Sequence, residues 1–141
     1  MWMNHHAMFL WLRRPDGAIF VGNGLLLLTV TALPFSTALL GDYLGHEGGR
    51  AAAAVYAAHL VAINLGYTGL WRSMAGRRAT VCPDLSDAEV GLTNRYLAFS
   101  LLAYSAAFGL AFWSAAASVS LTFLLAAFWT WNAYRRLKVE A

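Results

Sequence analysis

The sequence has one cysteine, three prolines and few charges. A single thiol, Cys82, excludes an internal disulfide and any metal site built from cysteines alone. Charged residues make up 12% of the 141, half the share usual in soluble domains, about 25%. So short a chain leaves much surface exposed, and these charges are too few to cover it. The scarcity of charge, set against 60% hydrophobic residues, also excludes a disordered tail and a coiled coil. No Asp or Glu lies near the middle of a long apolar stretch, which counts against a proton pump or a cation carrier, since those relays use such groups. Gly-x-Ser-x-Gly, His-Glu-x-x-His and P-loop patterns are missing as well. The chain is therefore read as no enzyme, with no cofactor.

What the sequence does have is long charge-free runs. Residues 17–41, 51–71 and 96–134 carry no Asp, Glu, Lys or Arg. A bilayer core needs about 20 apolar helical residues, so the last run is long enough to cross twice and must turn, with Trp113-Ser114 as the place. Helices of a soluble bundle keep a charged outer face, and these do not. The expectation is an all-α, polytopic transmembrane helix bundle forming a single membrane domain over 1–141. Four spans are expected near 18–41, 51–71, 92–113 and 116–134. Residues 1–12 are apolar and aromatic but too short to cross. They read as the remnant of a helix whose beginning is missing, or as an interfacial helix.

The basic residues orient the spans. Arg13, Arg14, Arg72, Arg77, Arg78, Arg95, Arg135, Arg136 and Lys138 fall on one side if the spans alternate, and Arg50 alone on the other. Nine against one places the nine, and both termini, in the cytoplasm. The net charge of +3 is thus a topology signal, and no nucleic-acid partner is invoked. The loop over 73–91 holds Cys82, with Cys82-Pro83-Asp84 as a break. Ser86-Asp87-Ala88-Glu89 has capping-box spacing, which starts the third long helix before the membrane.

Without a hydrophobic drive between helices in lipid, small residues decide close contact. Ala54, Ala58, Ala62 and Gly66, and then Ala103, Ala107, Ala111 and Ala115, each recur every four residues and are read as packing faces. Pro34 lacks an N–H and should free the Val30 carbonyl and kink its helix. Ser36, Thr37 or water would satisfy that carbonyl, and the kink either lines a cavity or fits the bundle.

Polar groups in hydrocarbon should face protein or water; here these are Asn23, His59, Asn64, Tyr67 and Asn132. His5 and His6 are neighbours, so on a helix their side chains diverge by about 100° and make a poor metal pair; no metal site is expected. His46 falls on the far side of the membrane from them. His59 is read as a hydrogen-bonded packing residue. Leu65-Gly66-Tyr67-Thr68-Gly69 lacks the order of a carbonyl-lined filter and lies inside a span.

Residue order adds a resemblance. Trp2-x-x-His5-His6, Arg14-x-Asp16, Asn23 and Leu33-Pro34-Phe35-Ser36-Thr37-Ala38-Leu39-Leu40-Gly41 resemble the transmembrane protein 175 family, potassium channels of endosomes and lysosomes with bacterial homologues. The resemblance covers about the first 45 residues, and the helix count agrees beyond them. It implies a lipid-embedded homo-oligomer, a tetramer of six-helix subunits, conducting potassium ions passively past an apolar constriction. For a bacterial homologue it implies the plasma membrane. The family's first helix lines the pore and carries Arg-x-x-x-Phe-Ser-Asp, which is absent from this sequence. The expectation is thus a truncated subunit lacking the pore-lining helix, in which residues 1–12 end the family's second helix. Trp2, His5 and Asn23, with His6 beside them, would be the polar partners of the missing Ser and Asp, with gating or architectural roles, and His5 the pH-sensitive member. Two rivals remain at this stage: a non-conducting four-helix scaffold or assembly protein, and a small haem or metal protein using His5, His6 or His59.

Overall fold

A computed structural model of the chain describes residues 2–10, 12, 13, 16–77 and 86–139, with side chains except at 2–4, 7 and 133–139. Among the described residues six helices follow one another: α1 (Trp2–Leu10), α2 (Gly17–Thr31), α3 (Leu33–Tyr43), α4 (Gly49–Ala75), α5 (Asp87–Ala111) and α6 (Ala115–Val139). There is no strand among the described residues. Gly17–Tyr43, Gly49–Ala75 and Ala115–Asn132 are long and apolar enough to cross a membrane. α5 matches them in length, at 25 residues, but its first third carries Asp87, Glu89, Asn94 and Arg95. Cys82 and the Cys82-Pro83-Asp84 break lie outside the described residues.

Local chemistry sets the helix ends. Asp16 is the N-cap of α2 and accepts from the Ile19 amide at 3.0 Å, satisfying a donor with no partner inside the helix. Ser86 caps α5 in the expected capping box: its hydroxyl accepts from the Glu89 amide, and the Glu89 carboxylate accepts from the Ser86 amide at 2.9 Å. α5 therefore begins at Asp87, where the capping-box spacing starts it. The turn between α3 and α4 uses Gly45 and Gly48 at φ +94° and +96°, a conformation that costs a side chain but not glycine. Arg50, just inside α4, donates from Nη1 to the Phe112 carbonyl at 3.3 Å, at the C-terminal end of α5, where a cation is favoured.

The rod over Gly17–Tyr43 is two helices joined at Ala32, with Pro34 in the first turn of α3. Ser36 and Thr37 do not turn back to Val30. Their hydroxyls donate to the Leu33 carbonyl at 3.0 and 2.9 Å, because they lie downstream of the break and reach only the acceptor one turn before them.

α4 is the central rod, packed against α2, α3, α5 and α6. Met8, Ile19, Leu26, Ile63, Leu70, Trp71 and Met74 form one core, joining α1 and α2 to the last turns of α4. Leu40, Ala52, Ala53, Ala54 and Ala111 form a second core at the opposite end. The ladder expected on α4 is only half in its packing. Ala54 is buried and Gly66 lies against Leu26, but Ala58 and Ala62 are exposed, and the buried set also includes Ala53, Ala57, Leu60, Asn64 and Trp71. A strict spacing of four drifts about 40° per step, so the four members do not share one face. On α5, Ala107 and Ala111 are fully buried. There the Ser118 hydroxyl of α6 donates to the Ala107 carbonyl at 2.8 Å, a close approach that small residues permit.

The outward faces are apolar. Phe20, Leu28, Phe35, Leu102, Phe123 and Leu124 are all exposed. A contiguous apolar exterior of this extent has to be covered by lipid or protein. The chain is an integral membrane protein.

Candidate functional site

The residues picked out at the start of the sequence meet where α1 crosses α2. Each helix supplies one polar side chain. α1 places His5 one turn before Phe9, and its imidazole stacks on that ring with centroids 4.6 Å apart. The ring is thereby turned towards α2, where His5 Nε2–H donates to Asn23 Oδ1 at 2.7 Å. Tyr67 of α4 meets His5 edge-on at 6.5 Å. His5 and Asn23 are both half-buried. A polar pair at that depth is satisfied by each other instead of by water, which fixes the crossing point of α1 on α2.

The other candidates divide. His6 is exposed, turned away from His5 as their adjacency on a helix requires. Trp2 belongs to α1, and its side chain lies outside the described residues. Arg14 lies outside them too. Among the described residues, no group of three or more His, Cys, Asp or Glu could hold a metal ion.

A second anchor sits below this contact. Asp16, besides capping α2, pairs with Arg77 just past α4, with Nη1 to Oδ2 at 2.5 Å. The Ile19 amide is the main reason its carboxyl titrates below the ordinary value, helped by the Arg77 guanidinium and the Ala18 amide and opposed by partial desolvation. One carboxylate therefore holds both the start of α2 and the end of α4. The Glu89 carboxyl is likewise held below its usual range by the Ser86 hydroxyl and amide.

Three polar contacts had no strong signal in the sequence. His59 of α4 reaches the α2–α3 break, with Nε2 2.8 Å from the Thr29 carbonyl and Nδ1 2.9 Å from Ser36 Oγ. The spacing of 23 and 30 residues hides this, although a histidine in one apolar run and a proline break in the previous one were both visible. Trp71 Nε1–H donates to Asn94 Oδ1 at 2.9 Å, tying α4 to α5. Asn64 is buried on α4, and its Oδ1 has no hydrogen-bond partner among the described residues.

The site holds no nucleophile next to a base and no carboxylate at membrane depth; it holds neutral donor–acceptor pairs that set how helices cross. The fold also occurs in a solved structure. A crystal structure of a lysosomal potassium-selective channel TMEM175 homolog from Chamaesiphon minutus superposes on the chain with a TM-score of 0.84 and 39% identity, covering 94% of this chain and 66% of that one. The chain is similar to this transmembrane protein 175 homolog over nearly all of its own length. A potassium channel of Chamaesiphon minutus is 40% identical over 126 residues, 89% of this chain and 62% of that protein. A potassium channel of Streptomyces collinus is 34% identical over 133 residues, 94% of this chain and 65% of that protein. The chain thus spans less than two thirds of the length of the relatives it matches. No family model matches it.

Proposed function

We propose that the chain is the greater part of a potassium-channel subunit, and that it packs around a pore-lining helix instead of forming the pore itself. The relatives named as potassium channels support the ion. The single observation that carries the role is the His5–Asn23 contact, which fixes α1 on α2 with neutral polar groups at the place where the family resemblance sets the partners of the pore-lining Ser and Asp. The Arg-x-x-x-Phe-Ser-Asp pattern is not among these 141 residues. In this reading that element comes from the remainder of the subunit. Trp2, His5 and Asn23, with His6 beside them, hold its polar side chains, and an apolar ring at an oligomer axis sets the narrowest point. The oligomer is a tetramer of identical subunits.

In the bilayer, α2 with α3, α4, α5 and α6 make four crossings. Arg72, Arg77 and Arg95 with the basic tail then face the cytoplasm, and Arg50 with Glu47 and Asp42 face outward. Both ends are cytoplasmic, and the membrane is a bacterial plasma membrane. Pro34 serves this arrangement by breaking the rod next to its neighbour α4.

Potassium and sodium flux from liposomes tests the proposal. The chain is reconstituted alone and fused to a helix carrying the missing pattern, with circular dichroism confirming helicity in both. Potassium-selective flux in the fusion that falls in His5→Ala and Asn23→Leu is expected. A folded fusion that passes no potassium would overturn the channel reading in favour of a non-conducting scaffold.

A further inference from the structure

The contact between His59 and the break at Pro34 has an unusual hydrogen-bond count. The Thr29 carbonyl can only accept, so Nε2 of His59 carries a hydrogen and donates across 2.8 Å. Nδ1 lies 2.9 Å from Ser36 Oγ, and that same Oγ lies 3.0 Å from the Leu33 carbonyl. Ser36 has one hydroxyl hydrogen. With a neutral ring, Nδ1 is bare and must accept that hydrogen, and the Ser36–Leu33 bond is then lost. With both ring nitrogens protonated, Nδ1–H donates to Ser36 Oγ, and Ser36 gives its hydrogen to Leu33. All three short contacts are hydrogen bonds at once only in the imidazolium form, and two of them are then charge-assisted.

We propose that His59 is a proton-operated latch on the Pro34 break: when the ring gains its second proton, its two bonds from α4 to the end of α2 and the start of α3 become charge-assisted, and Ser36 is freed to donate to Leu33. The place suits such a device. Pro34 removes one N–H from the rod, so the α2–α3 joint has fewer bonds of its own than a continuous helix. Ser36 is almost fully buried, so water does not substitute for the ring. Each N–H of the charged ring finds an oxygen, the condition for a charge at that depth.

Among the described residues His59 bonds to Thr29 and Ser36 and makes no ion pair; of the titratable groups around α4, α1 carries His5 and His6, with His5 against Tyr67. α2 carries no titratable residue, and α3 carries only Asp42 and Tyr43, at its far end. α4 carries Tyr56 one turn before His59 and Tyr67 two turns beyond it, with Arg50 and Arg72 towards its ends. On α5, Tyr104 faces Tyr56, while Asp87, Glu89, Arg95 and Tyr96 lie in its first ten residues. Residues 115–132 of α6 hold none.

The latch is a property of this chain's fold and does not depend on whether the subunit conducts. Hydrogen exchange on the full chain in lipid nanodiscs, corrected for the pH dependence of intrinsic exchange, reads it directly. Protection of the amides in 28–40 should rise about tenfold on going from about pH 8 to about pH 5, the worth of one further hydrogen bond. His59→Gln keeps a donor for Thr29 and a partner for Ser36 without titrating, and should show no such rise. Nitrogen-15 spectra of the unmodified protein's histidine ring should show the neutral form protonated at Nε2. A flat response in the unmodified protein, the same rise in His59→Gln, or a neutral ring protonated at Nδ1 would each overturn the proposal.

Discussion

Replacing Leu28 by arginine separates a protein standing in lipid from one standing in water. Leu28 is 69% exposed on a rod of 27 residues, Gly17–Tyr43, which is about 40 Å long. It lies two residues, or about 3 Å along the axis, from the rod's midpoint. In water, an exposed leucine exchanged for arginine changes stability by no more than about 0.5 kcal/mol. At the centre of a bilayer the same exchange costs about 3 kcal/mol, a factor of about 150. Phe20 is equally outward, 77% exposed, but lies near the rod's end, where an arginine side chain can reach the headgroups. The test is an insertion assay on residues 17–43, scored by glycosylation, with the parent poised near its midpoint by conservative Leu→Ala changes. Leu28→Arg should shift the apparent insertion free energy by about 3 kcal/mol and Phe20→Arg by well under half of that. Equal small effects at both depths would refute the membrane reasoning.

Three further outcomes follow from the packing and the caps. Asp16 titrates below its ordinary value in the fold, so its contribution is complete above the unfolded value of about 3.8 and is lost as pH falls through the folded one. Protection of the Ile19 amide should therefore drop in that acid range, and Asp16→Asn, which still caps, should abolish the drop. A Cβ at Gly49 would lie 2.9 Å from the Tyr43 carbonyl oxygen, backbone against backbone. Gly49→Ala should lower unfolding stability in detergent by about 1–3 kcal/mol, where Gly41→Ala, which meets nothing within 4 Å, should not. Trp71→Phe removes the bond to Asn94 and should cost about 0.6 kcal/mol. A double-mutant cycle with Asn94→Leu would show whether that coupling is present.

Much of the fold is legible along the chain because lipid imposes it: an apolar run long enough to cross must be a helix, as every backbone group has to find a partner internally. The Ser86–Glu89 box was legible for a related reason, since both partners lie within one turn. The α4 packing face was not. Small residues every four positions mimic a ladder, and only the helix's 3.6-residue period shows that Ala58 and Ala62 rotate outward while Ala53 and Ala57 stay inside. At the candidate site, His5 and Asn23 were legible through residue order, not through spacing, because 18 residues and a turn separate them. The His59 contacts were hidden by the same sequence separation. The fate of the Thr29 carbonyl depends on α4 lying beside the break, which no local pattern records.

The proposed topology puts the basic connectors on one side of a bilayer. With Cys82 replaced by serine, single cysteines at Arg77, Arg136 and His46 can be treated in intact cells with a membrane-impermeant maleimide. His46→Cys should react from outside, while Arg77→Cys and Arg136→Cys should react only after lysis. Labelling of Arg77→Cys and Arg136→Cys from opposite faces would contradict it.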